Sequence, residues 1–413
     1  MRNVIEFNAL DEMLEANPYS NYMKMHNANS VLYDRQMNAY FFGHHEDVVS
    51  ILRSPDFTTE PLADRAQPVM GGRVLAQMEG REHRSKRHAI LQGLSGNKFR
   101  EHYACVINDL TSEIISNVAH TGQIDLINEF GKEYSILVAL KILGLPTDNH
   151  KEIAIWHAGI TTFITSMQLT SEQRHSGIEC SRRLIEYLTP LVDNRDTLID
   201  ESLLGAICRT QHDGSAIDTA EVIALTLNVL LAAVEPADKT LAYLFYHLLQ
   251  TPDQFKAVKV DRALLAPAIR ETLRLTSPVQ LIPRQASHEA NISGVVLKKD
   301  SLVFCMVGAA NRDPSVFSHP STFDPTRWGW QRGCTNSGRA PQHLAFGIGP
   351  HACVGAAFSL LQIELTANVV MDKLEGLELE PGFVLEETGL YTRGPSALRL
   401  RFCPHFRAAA VPA

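Results

Sequence analysis

The clearest chemical signature in the sequence lies near its C-terminal end: Phe346-Gly-Ile-Gly-Pro-His-Ala-Cys353-Val-Gly355. Glycines on both sides of a cysteine let the backbone pass close to a flat ligand. They also aim amide N–H groups at the sulfur, which favours the thiolate. A thiolate is a natural metal ligand. No second Cys or His stands at zinc-finger spacing, which argues against a structural zinc site and for haem iron held axially by sulfur. At average glycine usage, a chance match to F-G-x-G-x-x-x-C-x-G in a chain this long has a probability on the order of 10⁻⁴. The other cysteines lack the glycine setting and read as ordinary buried thiols.

A site of that kind needs a scaffold, and most of the chain is patterned as helix. Apolar residues recur at three- and four-residue spacings over 46–52, 82–93, 104–119, 128–143, 153–167, 177–192, 219–250, 267–275 and, after the cysteine loop, 356–370. Strand character marks a hairpin at 30–34 and 38–42, then 279–285, 295–297, 301–307 and 397–402. No linker, repeat or low-complexity tract divides the sequence. The expected architecture is therefore one domain over 1–413, mainly α with a smaller β-rich part assembled from distant segments.

Composition narrows the setting. The chain has 413 residues, 45 % hydrophobic and 20 % charged, which sets aside disordered, collagenous and coiled-coil classes. Its net charge of −8 provides no basic field for nucleic acid or an anionic membrane. Seven cysteines without repeated spacing do not form a disulfide framework and point to a reducing compartment. Residues 1–30 show no apolar signal core, and the charge-free run 224–234 is shorter than the roughly 20 residues a bilayer span requires. A cytoplasmic protein is expected.

Two further motifs join the cysteine loop. Glu271-Thr-Leu-Arg274 places a carboxylate and a guanidinium three residues apart on one helix face, where they can pair. Phe323-Asp-Pro-Thr-Arg327 follows. In this order the motifs resemble the cytochrome P450 family over essentially the whole chain. The resemblance implies the cytochrome P450 fold, a haem b whose axial ligand is Cys353, a loop framed by Phe346, Gly347 and Gly355, and an ion cluster of Glu271, Arg274 and Arg327. It also implies donors for the haem propionates. His83 and Arg87 come from an H-x-x-x-R element, Arg284 from a strand, and His351 from just before the thiolate; cations suit that anionic partner. Because the sequence ends soon after its β-rich tail without a flavin or iron–sulfur domain, electrons are expected from a ferredoxin and its reductase.

The long helix over 219–250 lines up with the family's oxygen-activating helix. Its centre, Ala232-Ala233-Val234-Glu235-Pro236-Ala237-Asp238, matches A-G-x-[D/E]-T-[T/S] except that Pro236 replaces the usual threonine. Proline lacks an N–H and crowds the carbonyl four residues back, so the helix is expected to open locally. Ala232, Ala233, Glu235 and Pro236 become the catalytic candidates. Proton delivery then falls to Glu235, water or the substrate. Peroxide-using fatty-acid relatives with proline here are similar in carrying an arginine just before it. Glu235 would instead repel a carboxylate, which favours a neutral substrate.

Residues 229–240, 278–285, 303–314 and 389–395 together resemble a bacterial subgroup that oxidises cyclodipeptides, the 2,5-diketopiperazines. Its members aromatise and N-oxidise an aliphatic diketopiperazine, or couple a tryptophan-containing one to a second copy or to a nucleobase. Such a small amide-rich ring calls for an apolar pocket with a few polar groups. Val69, Met70, Val234, Ala237, Val279, Leu281, Ile282 and Tyr391 are the candidate walls, and Gln67 the candidate amide partner. Hydroxylation of another small natural product and a haem-binding sensor without turnover are the alternatives.

Overall fold

The computed structural model describes residues 1–10, 17–94, 97–194, 202–212, 215–329 and 342–404. Its principal helices are α1 (Pro18–Asn27), α2 (His45–Arg53), α3 (Glu60–Met70), α4 (Gly80–Gly93), α5 (Asn97–Val118), α6 (Lys132–Leu143), α7 (His150–Thr165), α8 (Ser171–Asp193), α9 (Thr219–Gln250), α10 (Pro252–Val260), α11 (Leu265–Leu275) and α12 (Ala356–Lys373). Local chemistry sets several of their ends. Asp218 accepts the Glu221 amide ahead of α9, and Thr170 with Gln173 forms a capping box ahead of α8. A left-handed Gly144 closes α6.

The strands of the two larger sheets are β1 (Asn3–Phe7), β2 (Ser30–Asp34), β3 (Ala39–Phe42), β4 (Phe57–Thr58), β5 (Gln123–Asp125), β6 (Leu281–Ala286), β7 (Leu302–Met306), β8 (Glu378–Leu379) and β9 (Arg399–Arg401). A six-stranded sheet runs β1-β2-β3-β7-β6-β4, and β8-β9-β5 forms a smaller one. Register matters for the site: β7 pairs antiparallel to β6 with Val303 opposite Arg284 and Cys305 opposite Ile282. The mainly helical architecture with a β part drawn from distant segments is thus realised.

The core is built around α9, which packs on α6, α8, α11 and α12. Leu227, Leu230, Leu244 and Phe245 on it are wholly buried; each such side chain contributes about 1.5–3 kcal/mol of transfer free energy. By length and apolar composition α9 would cross a bilayer, yet half of its most apolar window lies inside the fold. Its apolarity therefore fits the role of a core helix. Helices α1, α3 and α10 are additions to the sequence-based expectation. Proline at the first turn of each broke the apolar periodicity while suiting a helix start. The helix expected from 128 begins instead with a π-turn, Leu126–Gly131, whose first amides are held by Asp125.

Candidate active site

Cys353 sits in the loop that leads into α12. Its amide donates to the Phe346 carbonyl at 2.8 Å, and Ala352 N donates to Gly349 O at 3.1 Å, which folds the loop back on itself. The turn needs glycine at two places. Gly347 and Gly349 have φ of +64° and +82°, and a Cβ at Gly349 would stand 2.5 Å from the Leu52 carbonyl of α2. Protein surrounds the thiol on most sides, and this desolvation pushes its pKa up. The Gly355 amide and the Arg87 guanidinium act in the opposite direction, and the residue keeps an accessible face.

Four cation-forming side chains from three distant segments meet beside this loop. The His83 ring of α4 lies 4.3 Å from that of His351. Burial, then His351 and Arg87, lower His83 to about 4. Burial also lowers His351, opposed by its hydrogen bond to Glu79 at 3.2 Å. Arg284, on β6, is only 4 % exposed and donates to its neighbour's carbonyl, Pro283 O, at 2.8 Å. Among the described residues no carboxylate lies within ion-pair distance of Arg284 or Arg87. Burying a guanidinium without an anion is costly, and both pKa values are depressed by desolvation. Arg284 and His351 line one pocket with Ile282, Gly347 and Ile348.

Behind the loop, Glu271 and Arg274 on α11 are fully buried and paired at 2.7 Å. The Glu271 carboxylate also accepts from Asp324 N at 2.9 Å, Arg327 Nε at 3.3 Å and Trp328 Nε1 at 2.9 Å. Arg274 donates to the carbonyls of Asn311, Pro320 and Thr322. The cluster thereby ties α11 to the chain ahead of the cysteine loop.

The local opening expected at Pro236 is not seen. α9 remains α-helical from Thr219 to Gln250, because a single missing N–H removes one rung while the neighbouring turns hold the axis. Ala232 is exposed, Ala233, Glu235 and Pro236 are half-buried, and Val234 and Ala237 are buried. The Glu235 carboxylate pairs with Lys239 Nζ at 3.1 Å and acts electrostatically on His157 of α7.

The remaining candidates divide by packing. Ile282 and Val279 are half-buried, Val279 bridging to Thr392. Tyr391 is buried beneath the Arg65 guanidinium, 5.1 Å from its ring centroid. Met70 is buried on α3, and Gln67 is exposed on the same helix. Val69 and Leu281 correct the expectation of open walls. Both are 0 % exposed, Val69 in the main helical core and Leu281 in a second cluster with Tyr22, Phe41 and Phe304. The alternation of β6 explains Leu281: Ile282 and Arg284 share the pocket face, so residue 281 takes the other.

Residues 4–379 match the cytochrome P450 family model. The chain belongs to the cytochrome P450 family. It is 42 % identical to the pulcherriminic acid synthase of Bacillus subtilis (strain 168) over 397 residues, 96 % of this chain and 98 % of that one. It is 26 % identical to the mycinamicin IV hydroxylase/epoxidase of Micromonospora griseorubida over 372 residues, 87 % of this chain and 88 % of the relative. The crystal structure of CalO2 superposes with a TM-score of 0.84 over 97 % of this chain and 99 % of that one at 21 % identity, a likeness of fold. Cytochromes P450 are oxidoreductases that carry haem with a cysteine thiolate as axial ligand, act on small molecules and take electrons from redox partners.

This P450's own residues fit that cofactor. An accessible cysteine in a glycine-framed loop supplies the sulfur, and a buried guanidinium lacking a carboxylate supplies a place for a carboxylate-bearing ligand. Sequence reasoning missed several participants. Glu79, which links His351 to Thr59 Oγ1, stands four residues before His83, and Trp328 directly follows Arg327. Adjacency to a motif was the available signal. Lys239 was marked by its i+4 spacing from Glu235 on the predicted helix, whereas nothing local marked Arg65 or His157.

Proposed function

We propose that this P450 oxidises a cyclodipeptide in secondary-metabolite biosynthesis, in the cytoplasm, with electrons from a ferredoxin and its reductase. The observation that carries this reading is the 42 % identity, over nearly the full length of both chains, to the pulcherriminic acid synthase, an oxidase of a cyclodipeptide. In this reading the whole chain works as a single P450 domain. Haem supplies the oxidising chemistry when bound. The chain's residues do the rest. Cys353 ligates the iron, while the Gly355 amide and Arg87 favour its thiolate form. Arg87, Arg284, His83 and His351 hold the propionates, and Glu271, Arg274 and Arg327 fix the backbone behind them.

The open face of α9 at Ala232, Ala233 and Pro236 takes the substrate, with Val234, Ala237, Met70, Val279, Ile282, Tyr391 and Gln67 around it. Pro236 presents no hydroxyl, so proton delivery uses Glu235, water or the substrate's own N–H. The outcome belongs to the coupling, desaturation or N-oxidation group. The test is turnover of the purified haem protein with surrogate ferredoxin, its reductase and NADPH, against aliphatic and tryptophan-containing cyclodipeptides. Substrate-dependent product from one of them is expected. Oxidation of none, by a protein with an intact thiolate carbonyl spectrum, would refute the substrate class.

A further inference from the structure

Pro236 removes a donor from the middle of α9, and what it leaves is an acceptor. In an α-helix the amide of residue 236 would bond the Ala232 carbonyl; proline has no N–H, so the i+4 rung to that carbonyl is missing. The carbonyl one turn on has a side-chain donor. The Pro236 carbonyl takes a bond from Thr240 Oγ1 at 2.6 Å. No side chain among the described residues donates to Ala232 O.

The residue lies where a ligand could reach it. Val229, Ala233 and Pro236 are half-buried and Ala232 is exposed, whereas Leu230, Val234, Ala237 and Asp238 around them are buried. Ala232 and Pro236 are one turn apart and share that open face. The face offers apolar surface at Val229, Ala233 and Pro236, the Ala232 carbonyl without its i+4 donor and, one turn earlier, the half-buried Asn228 amide, which suits a neutral ligand bearing an N–H. A cyclodipeptide has two ring amides whose N–H groups cannot bond within the ring.

We infer that the Ala232 carbonyl accepts an amide N–H of the cyclodipeptide and so orients its ring, with Pro236 as the positioning residue that keeps the carbonyl free. This deepens the proposed function and rests on it. The group selects for amide N–H where the family's threonine would have presented a hydroxyl.

The experiment compares two probes on the haem-loaded protein by optical titration and calorimetry: cyclo-dileucine, and the dilactone of 2-hydroxy-4-methylpentanoic acid. The dilactone keeps ring size and side chains but has ring oxygens in place of both N–H groups. Wild type should bind cyclo-dileucine at least about tenfold more tightly, equivalent to about 1.4 kcal/mol. Pro236→Ala restores the helical amide and should lower affinity for cyclo-dileucine by about tenfold more than affinity for the dilactone. Equal affinity of wild type for both probes would overturn the inference, as would an equal loss of both in the variant. Should Pro236→Ala yield no haem protein, the wild-type comparison alone decides. Binding of neither probe would overturn this inference, whereas the cyclodipeptide reading stands or falls on the turnover test above.

Discussion

Replacing Glu271 by alanine tests how the fold holds its cysteine loop. The carboxylate is 0 % exposed and accepts five hydrogen bonds, from Arg274 Nε and Nη2, Asp324 N, Arg327 Nε and Trp328 Nε1. Its removal leaves Arg274, also 0 % exposed, as a buried charge without a counter-ion; one-sided loss of a buried pair costs about 3–5 kcal/mol. Two effects set the value within that range. Arg274 keeps three carbonyl acceptors, which moderates the cost, while the Asp324 and Trp328 N–H groups lose theirs at about 1–3 kcal/mol each. About 4 kcal/mol is expected, a large share of the 5–15 kcal/mol typical of a folded protein. The assay is the urea midpoint with its m-value, together with the yield of haem-loaded protein. Removing both charges in Glu271→Ala/Arg274→Ala eliminates the unpaired guanidinium, so the double variant should lose clearly less than the sum of the singles. A single variant with a wild-type midpoint, or strictly additive losses, would refute the buried-pair argument.

Cys353→Ala should abolish the red-shifted carbonyl band of the reduced protein and all turnover, since no neighbouring thiolate can replace it; a retained band would place the axial ligand elsewhere. Pro236→Thr should give equal or lower product formation with one cyclodipeptide and one redox system, because it restores the amide facing Ala232 along with the hydroxyl. A variant roughly tenfold faster with the same product would show that the missing alcohol limits the reaction by about 1.4 kcal/mol. Burial lifts the Asp238 carboxyl from the ordinary 3.8 to about 7. Between those values the folded state keeps a proton that the unfolded state releases, so this group's contribution to stability falls as pH rises. Asp238→Asn should therefore gain stability relative to wild type from about pH 4 to about pH 7, and a pH-independent difference in urea midpoint would contradict the assignment.

Features governed by short-range chemistry were legible from the residues alone. The cysteine loop was legible because its glycines and thiol act within ten residues, and the helices because burial of one face imposes a 3.6-residue period. Cofactor, family and the substitution at Pro236 followed from those. Tertiary structure decided the rest. His83, Arg284 and His351 become neighbours only because β6 and β7 pair in one register and α4 packs against the loop, which no local pattern encodes. The same strand alternation that aims Ile282 and Arg284 into the pocket buries Leu281, and residue type alone does not reveal which of two apolar neighbours faces inward. Continuity of α9 through Pro236 likewise depends on how flanking turns and packed helices share the cost of one absent donor, a balance set by the assembled fold.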